Sequence, residues 1–253
     1  VETTAIPQSP SPEPTRGLSL GARTAAIFAR PTQAWGGLER RGQWWFPLLL
    51  SVLVTVAGTA LVFQRALLPD NIAQIERMAE SGQIPPEQAE ASVQGMGTPL
   101  QMAISVAVVP LGVLFVTLLL ALIPWMGAGF MLGRRFRFRD AWVVTCWAGL
   151  VTLPAQVLTF ALAWLNETLA GVHIGFGALL PVADAPSKLM TGLGSFLDQA
   201  IGPFAIWHFV VLALGAAALS GAPRKAVLFT LGGLWLVLWG VLALLGGVLS
   251  PGA

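Results

Sequence analysis

Tyrosine is missing from this chain, cysteine occurs once and histidine twice. Each shortage closes off a class of chemistry. A lone Cys146 builds no intramolecular disulfide framework and no cysteine-based zinc cluster. His173 and His208 are too few for a histidine-rich metal site, and no His-Glu-x-x-His is present. The absence of tyrosine removes one general acid–base option. No glycine-rich loop ends in Lys-Ser or Lys-Thr, so there is no Walker A phosphate cradle. No Gly-x-Ser-x-Gly elbow presents a nucleophile. The chain therefore reads as a non-enzyme, with no catalytic residue, no cofactor and no metal site predicted.

Charge is scarce too. Only 10% of the 253 residues are charged and 55% are hydrophobic, whereas a soluble domain carries about 25% charged residues. A soluble protein of this composition could not cover its own surface. About 20 consecutive apolar residues cross a bilayer core, and such runs recur along this sequence. They predict spans at about 44–68, 98–132, 141–165, 200–219 and 226–249. The second run would reach about 50 Å as one helix. Two spans would need about 40 apolar residues and a turn, so it is read as one span, with Pro110 and Pro124 as kink points.

The flanks are different. Residues 1–16 are rich in proline and polar residues and predict a disordered tail without the apolar core of a signal peptide. Residues 17–43 mix Leu20, Ile27, Phe28, Trp35 and Leu38 with arginines, the pattern of amphipathic helices on a membrane surface. A solvated basic linker is the other reading. Residues 69–97 carry Asp70, Glu76, Glu80, Glu87 and Glu90, and predict a helical hairpin broken at Pro85-Pro86. Ser187 is placed to cap a helix whose Leu189, Leu193, Phe196 and Leu197 share a face.

Arginine and lysine positions set the orientation. Arg16, Arg23, Arg30, Arg40, Arg41, Arg134, Arg135, Arg137, Arg139, Arg224 and Lys225 fall on one side, against Arg65, Arg77 and Lys188 on the other. The positive-inside rule then predicts an all-α, polytopic helical membrane bundle of five transmembrane helices, with the N-terminus cytoplasmic and the C-terminus extracytoplasmic. Arg23, Arg30, Arg40, Arg41, Arg134, Arg135, Arg137 and Arg139 are predicted to contact anionic lipid headgroups, not nucleic acid, with Phe28, Trp35, Phe136 and Phe138 dipping into the interface. Topogenesis alone is the alternative role for these arginines.

Inside the spans no Asp, Glu, Lys or Arg lies away from the ends, which argues against proton- or sodium-driven transport. The polar and aromatic candidates left at depth are His208, Gln156, Gln101 and Trp207. Interhelical packing is the plain reading for each, and ligand contact the sharper one. Gly233, Gly240 and Gly247 repeat every seven residues and share a face, and Gly129 and Gly133 form a GxxxG. Either intramolecular packing or a dimer seam would use them.

Three stretches together resemble the Yip family of Ypt/Rab-interacting membrane proteins, in its bacterial branch. They are Ile27-Phe28-Ala29-Arg30-Pro31 through Trp35 with Trp44 to Leu49, then Phe138-Arg139-Asp140-Ala141-Trp142 through Pro154, then Phe204-Ala205-Ile206-Trp207-His208 through Pro223-Arg224-Lys225-Ala226. The eukaryotic Asp-Leu-Tyr-Gly-Pro motif is not among them. The resemblance covers about residues 25–249 and implies a five-span domain over 44–250, in a bacterial cytoplasmic membrane. It implies a scaffold or accessory subunit that binds membrane proteins, ABC-exporter components among them, or organises lipid. A second copy of the chain is the other expected partner. A passive conduit or small-molecule or lipid-binding protein is the alternative function, and a cavity among spans two, three and four would favour it.

Overall fold

The computed structural model describes residues 17–38, 42–180 and 188–249. The expected tail at 1–16, Arg40, Arg41 and Ser187 lie outside the described residues. Regular structure among the described residues is helical throughout, and five helices are long and apolar enough to cross a membrane.

The first span starts with α2 (Trp45–Val62) and passes through a π turn at Phe63–Leu67 into α3 (Leu68–Glu80). The sequence reading ended this helix near residue 68. Asp70 in the first turn of α3 and Arg77 in its last suit the helix dipole, so the polar extension stays helical. It then folds back as α4 (Pro86–Gln94), the second arm of the expected hairpin. The second span is one helix, α5 (Pro99–Pro124), capped by the Thr98 hydroxyl, which accepts from the Gln101 amide at 3.2 Å. A π turn at Trp125–Met131 follows Pro124, where the missing N–H loosens the ladder.

Gly133, at φ 62°, turns the chain into the arginine run. The third span combines α6 (Phe138–Gly149), a 3-10 turn at Leu150–Thr152 and α7 (Leu153–Asn166). Pro154 lacks an amide for the carbonyl of Leu150, and the helix tightens just before it. A short helix, α8 (Lys188–Gln199), packs along α10 (Arg224–Leu249), the fifth span. Between them in sequence runs α9 (Pro203–Ser220), the fourth span, opened by Pro203 at its first position and closed by Gly221 at φ 66°.

The first and third spans run parallel. Trp44 meets Trp142 edge-on at one end, with ring centroids 6.0 Å apart, and Arg65 pairs with Glu167 at 2.7 Å at the other. We call these the basic and acidic ends. The large core sits toward the basic end and includes Trp147, Val144, Val211, Leu212, Val227 and Leu231. Near the acidic end Val62, Ala66 and Ala163 form a small cluster.

The N-terminal arm packs one face into the large core. Helix α1 (Leu20–Ala29), capped by Ser19, turns Arg23 and Ile27 inward four residues apart. A 3-10 turn at Pro31–Gln33 follows, and Trp35 and Leu38 are buried after it. The Arg23 guanidinium donates to the carbonyls of Ala34 and Gly36, the latter at 3.0 Å, and lies 5.6 Å from the Trp147 ring centroid. Arg23 is thus an interior anchor, not a headgroup contact. Trp35 and Phe136 are core residues as well, not interfacial ones.

Candidate functional site: a cavity among the five spans

A cavity of about 710 Å³ lies where the packing thins, between the large core and the acidic end. All five spans line it. Small residues create the space: at Gly112 of α5 and Gly149 of α6 no atom lies within 4 Å of where a Cβ would stand. From Thr145 to Thr159 the lining of the third span extends about 20 Å along the helix axis.

The wall is mixed in character. Val113, Leu120 and Phe204 give it apolar surface, and Ser51, Thr55, Thr117, Thr145, Thr152 and Thr159 give it hydroxyls. Those hydroxyls donate into their own helices: Thr145 to the Ala141 carbonyl at 2.9 Å, Thr152 to Gly149 at 2.8 Å, Thr159 to Ala155 at 2.9 Å. Their lone pairs stay available as acceptors. Thr55 also reaches Gln156 Oε1 at 3.3 Å, linking the first and third spans across the cavity wall.

On the opposite side three rings stack edge to face. His208 meets Trp235 with centroids 5.4 Å apart and planes at 88°, and Trp235 meets Trp239 at 5.7 Å. Trp235 Nε1 donates to the Ala200 carbonyl at 3.0 Å. His208 Nε2 and Trp239 Nε1 are buried and have no hydrogen-bond partner among the described residues. His208 is only 4% exposed.

Asp198 of α8 lines the acidic end of the cavity. Its carboxylate lies 2.5 Å from His173 Nδ1 and accepts the Gly177 amide at 2.8 Å. A Cβ on Gly177 would stand 2.7 Å from both Asp198 Oδ2 and His173 Nδ1, so only glycine lets the loop close over this pair.

Of the four intramembrane candidates, the cavity brings together His208 and Gln156. Gln101 is in the first turn of α5 at the acidic end, not at depth, and does not line the cavity. Trp207 packs against the large core instead. The His173–Asp198 pair went unnoticed in the sequence because 25 residues separate its members. The signal available was the first of only two histidines, beside a Gly-Phe-Gly run. Among the arginine candidates, Arg30, Arg134, Arg135, Arg137 and Arg139 are exposed. A Cβ on Gly42 would stand 2.9 Å from Arg139 Nη2, so the chain leaving the arm meets the arginine turn at the basic end.

Five apolar helices around a partly polar cavity define a polytopic helical membrane protein. Against protein-family models, residues 25–245 match the Yip1 domain, and the chain belongs to that family. No curated protein and no solved structure matches it.

Proposed function

We propose that this chain is a non-enzymatic Yip-type module of a bacterial cytoplasmic membrane, and that its cavity takes up an uncharged amphipathic molecule from the bilayer. The observation that carries this reading is the cavity itself. Its volume of about 710 Å³ falls within the roughly 300–1,000 Å³ of small-molecule sites. Among the described residues it has polar groups at depth and no charged side chain with them, since Asp198 lies at the acidic end and is paired. A second hollow, of about 520 Å³ beside Thr24, Phe28 and Leu153, is almost wholly apolar and selects nothing by hydrogen bonding.

Filling the space tests the proposal. Gly112→Leu with Gly149→Leu adds bulk at two helical positions that have room for it. Lipid extracted from the purified wild-type protein should contain a stoichiometric species, depleted in the double variant. Equal recovery from both proteins would end this reading.

Exposed Arg30 of the arm and exposed Arg134, Arg135, Arg137 and Arg139 of the turn support a cytoplasmic N-terminus. Those arginines then face anionic headgroups.

The scaffold reading rests on a separate observation. Gly233 and Gly240 of α10 have no atom within 4 Å of a built Cβ, so this glycine face is unused in the chain's own packing and suits a second copy or a partner helix. Gly233→Cys should give a disulfide-linked product in native membranes. A chain that stays monomeric there under oxidation, and crosslinks to no other protein, would exclude the seam.

A further inference from the structure

We infer that the groove between the N-terminal arm and the third span is a lipid site, which holds one acyl chain of an anionic phospholipid from the leaflet at the basic end. The groove is separate from the cavity among the spans, and the inference does not depend on what that cavity binds.

The third span lines both hollows with different residues. Thr152, Gln156 and Thr159 line the cavity, whereas Leu153, Val157 and Leu158 line the groove. Thr24 and Phe28 of α1, one helical turn apart, supply the wall on the arm side. The groove holds about 520 Å³, and its lining is almost wholly apolar. The Thr24 hydroxyl donates to the Leu20 carbonyl at 3.0 Å. The Leu150 carbonyl, which Pro154 cannot serve, accepts the Leu153 amide instead. Such a surface suits hydrocarbon. Val157 and Leu158 are exposed, so a chain can enter from the side without crossing the bundle.

Length and charge select the occupant. From Leu150 to Leu158 the groove runs about 12 Å along the helix axis. One leaflet contributes about 15 Å of hydrocarbon, so the groove matches a single chain of one leaflet. The arm identifies which leaflet. Helix α1 packs on α6 and on the turn at Leu150–Thr152, with Arg23 against Trp147, so it stands on the basic side of the groove. Arg30 follows Phe28 by two residues and is exposed. Residues 17–38 contain two arginines and no carboxylate. A headgroup above the chain therefore meets positive charge from the arm, which favours a net negative headgroup over a zwitterionic one.

Two photoactivatable lipids test this in proteoliposomes holding the full chain, with the labelled residues mapped by mass spectrometry. One is a phosphatidylglycerol and the other a phosphatidylcholine, with equal chains and the same mid-chain diazirine. Phosphatidylglycerol should label α1 and residues 150–158 about five-fold more than phosphatidylcholine, the effect of one arginine at an anionic headgroup. Around Leu111 and Phe115, exposed on α5, the two lipids should label alike. Arg30→Gln should lower groove labelling by phosphatidylglycerol to the phosphatidylcholine level. Val157→Trp, which fills the groove, should lower groove labelling by both lipids and leave α5 labelling unchanged. The wild-type comparison stands even if a variant misfolds. Equal groove labelling of wild type by the two lipids overturns the inference. So does a groove that neither lipid labels while α5 is labelled, the result expected if a partner helix or a second copy of the chain fills it. Neither result bears on the cavity, which the Gly112→Leu and Gly149→Leu variant tests.

Discussion

Arg23 lies over the indole of Trp147, its guanidinium carbon 5.6 Å from the ring centroid, and so ties the N-terminal arm to the third span. The same guanidinium closes the arm on itself through the Ala34 and Gly36 carbonyls. Removing a buried, hydrogen-bonded charge strands its partners, at a cost of about 3 kcal/mol. Arg23→Ala should lower the thermal midpoint in detergent and release α1 to protease. Arg30→Gln, at an exposed position, should do neither. If both variants melt like wild type, Arg23 is not an anchor.

Spans one and three owe their close approach to Gly58. A Cβ there would run into the Phe160 ring. Gly58→Val should therefore push the helices apart at a cost of about 2 kcal/mol, the scale of overpacking. Phe160→Ala in the same chain should restore most of that stability, because the two changes share one contact. Additive losses in the double variant would show that the contact does not limit the approach.

The five spans were legible because lipid demands long apolar runs and internally bonded backbone. Pro124 announced the irregular turn that ends the second span, and Pro85-Pro86 the hairpin. Arg23 was misplaced for a physical reason. An arginine among apolar residues reads as a snorkelling surface residue, and nothing local shows that two carbonyls eleven and thirteen residues on will receive it. Trp35 failed likewise, since its site is built by Gly215 and Val144 of distant helices. For the cavity, periodicity gave single polar residues such as Gln156 and His208. Their convergence depends on how α5, α7, α9 and α10 pack, which a hydropathy pattern does not encode.

Cys146 provides a reporter for the cavity. It is the one cysteine of the chain, lines the cavity and is 3% exposed. Asp198 ties the loop at the acidic end of the cavity to α8 through His173 and the Gly177 amide. Asp198→Ala removes both bonds, which lowers the free energy of local opening there. A small uncharged maleimide should then modify Cys146 roughly ten-fold faster than in wild type. An unchanged rate would mean that the pair does not control access.

The arginines of the turn at residues 134–139 supply the last test. Arg134, Arg135, Arg137 and Arg139 are all exposed, and Gly42 at the end of the arm lies against Arg139. Near an anionic surface each arginine contributes about 1 kcal/mol. Four together would hold the turn against the headgroups, with Phe138 packed edge-on to Trp125 just beside it. Such attraction fades within a Debye length of about 8 Å at physiological salt. Trypsin should consequently cut the turn slowly in anionic vesicles, faster in neutral ones, and faster in anionic vesicles as salt rises. Replacing Arg134 and Arg135 with Gln should speed cleavage at the remaining arginines in anionic vesicles and leave it unchanged in neutral ones. Arg224 and Lys225 still favour the same orientation, so topology should be retained. Equal cleavage of the wild-type turn in anionic and neutral vesicles would leave these arginines with a role in insertion alone.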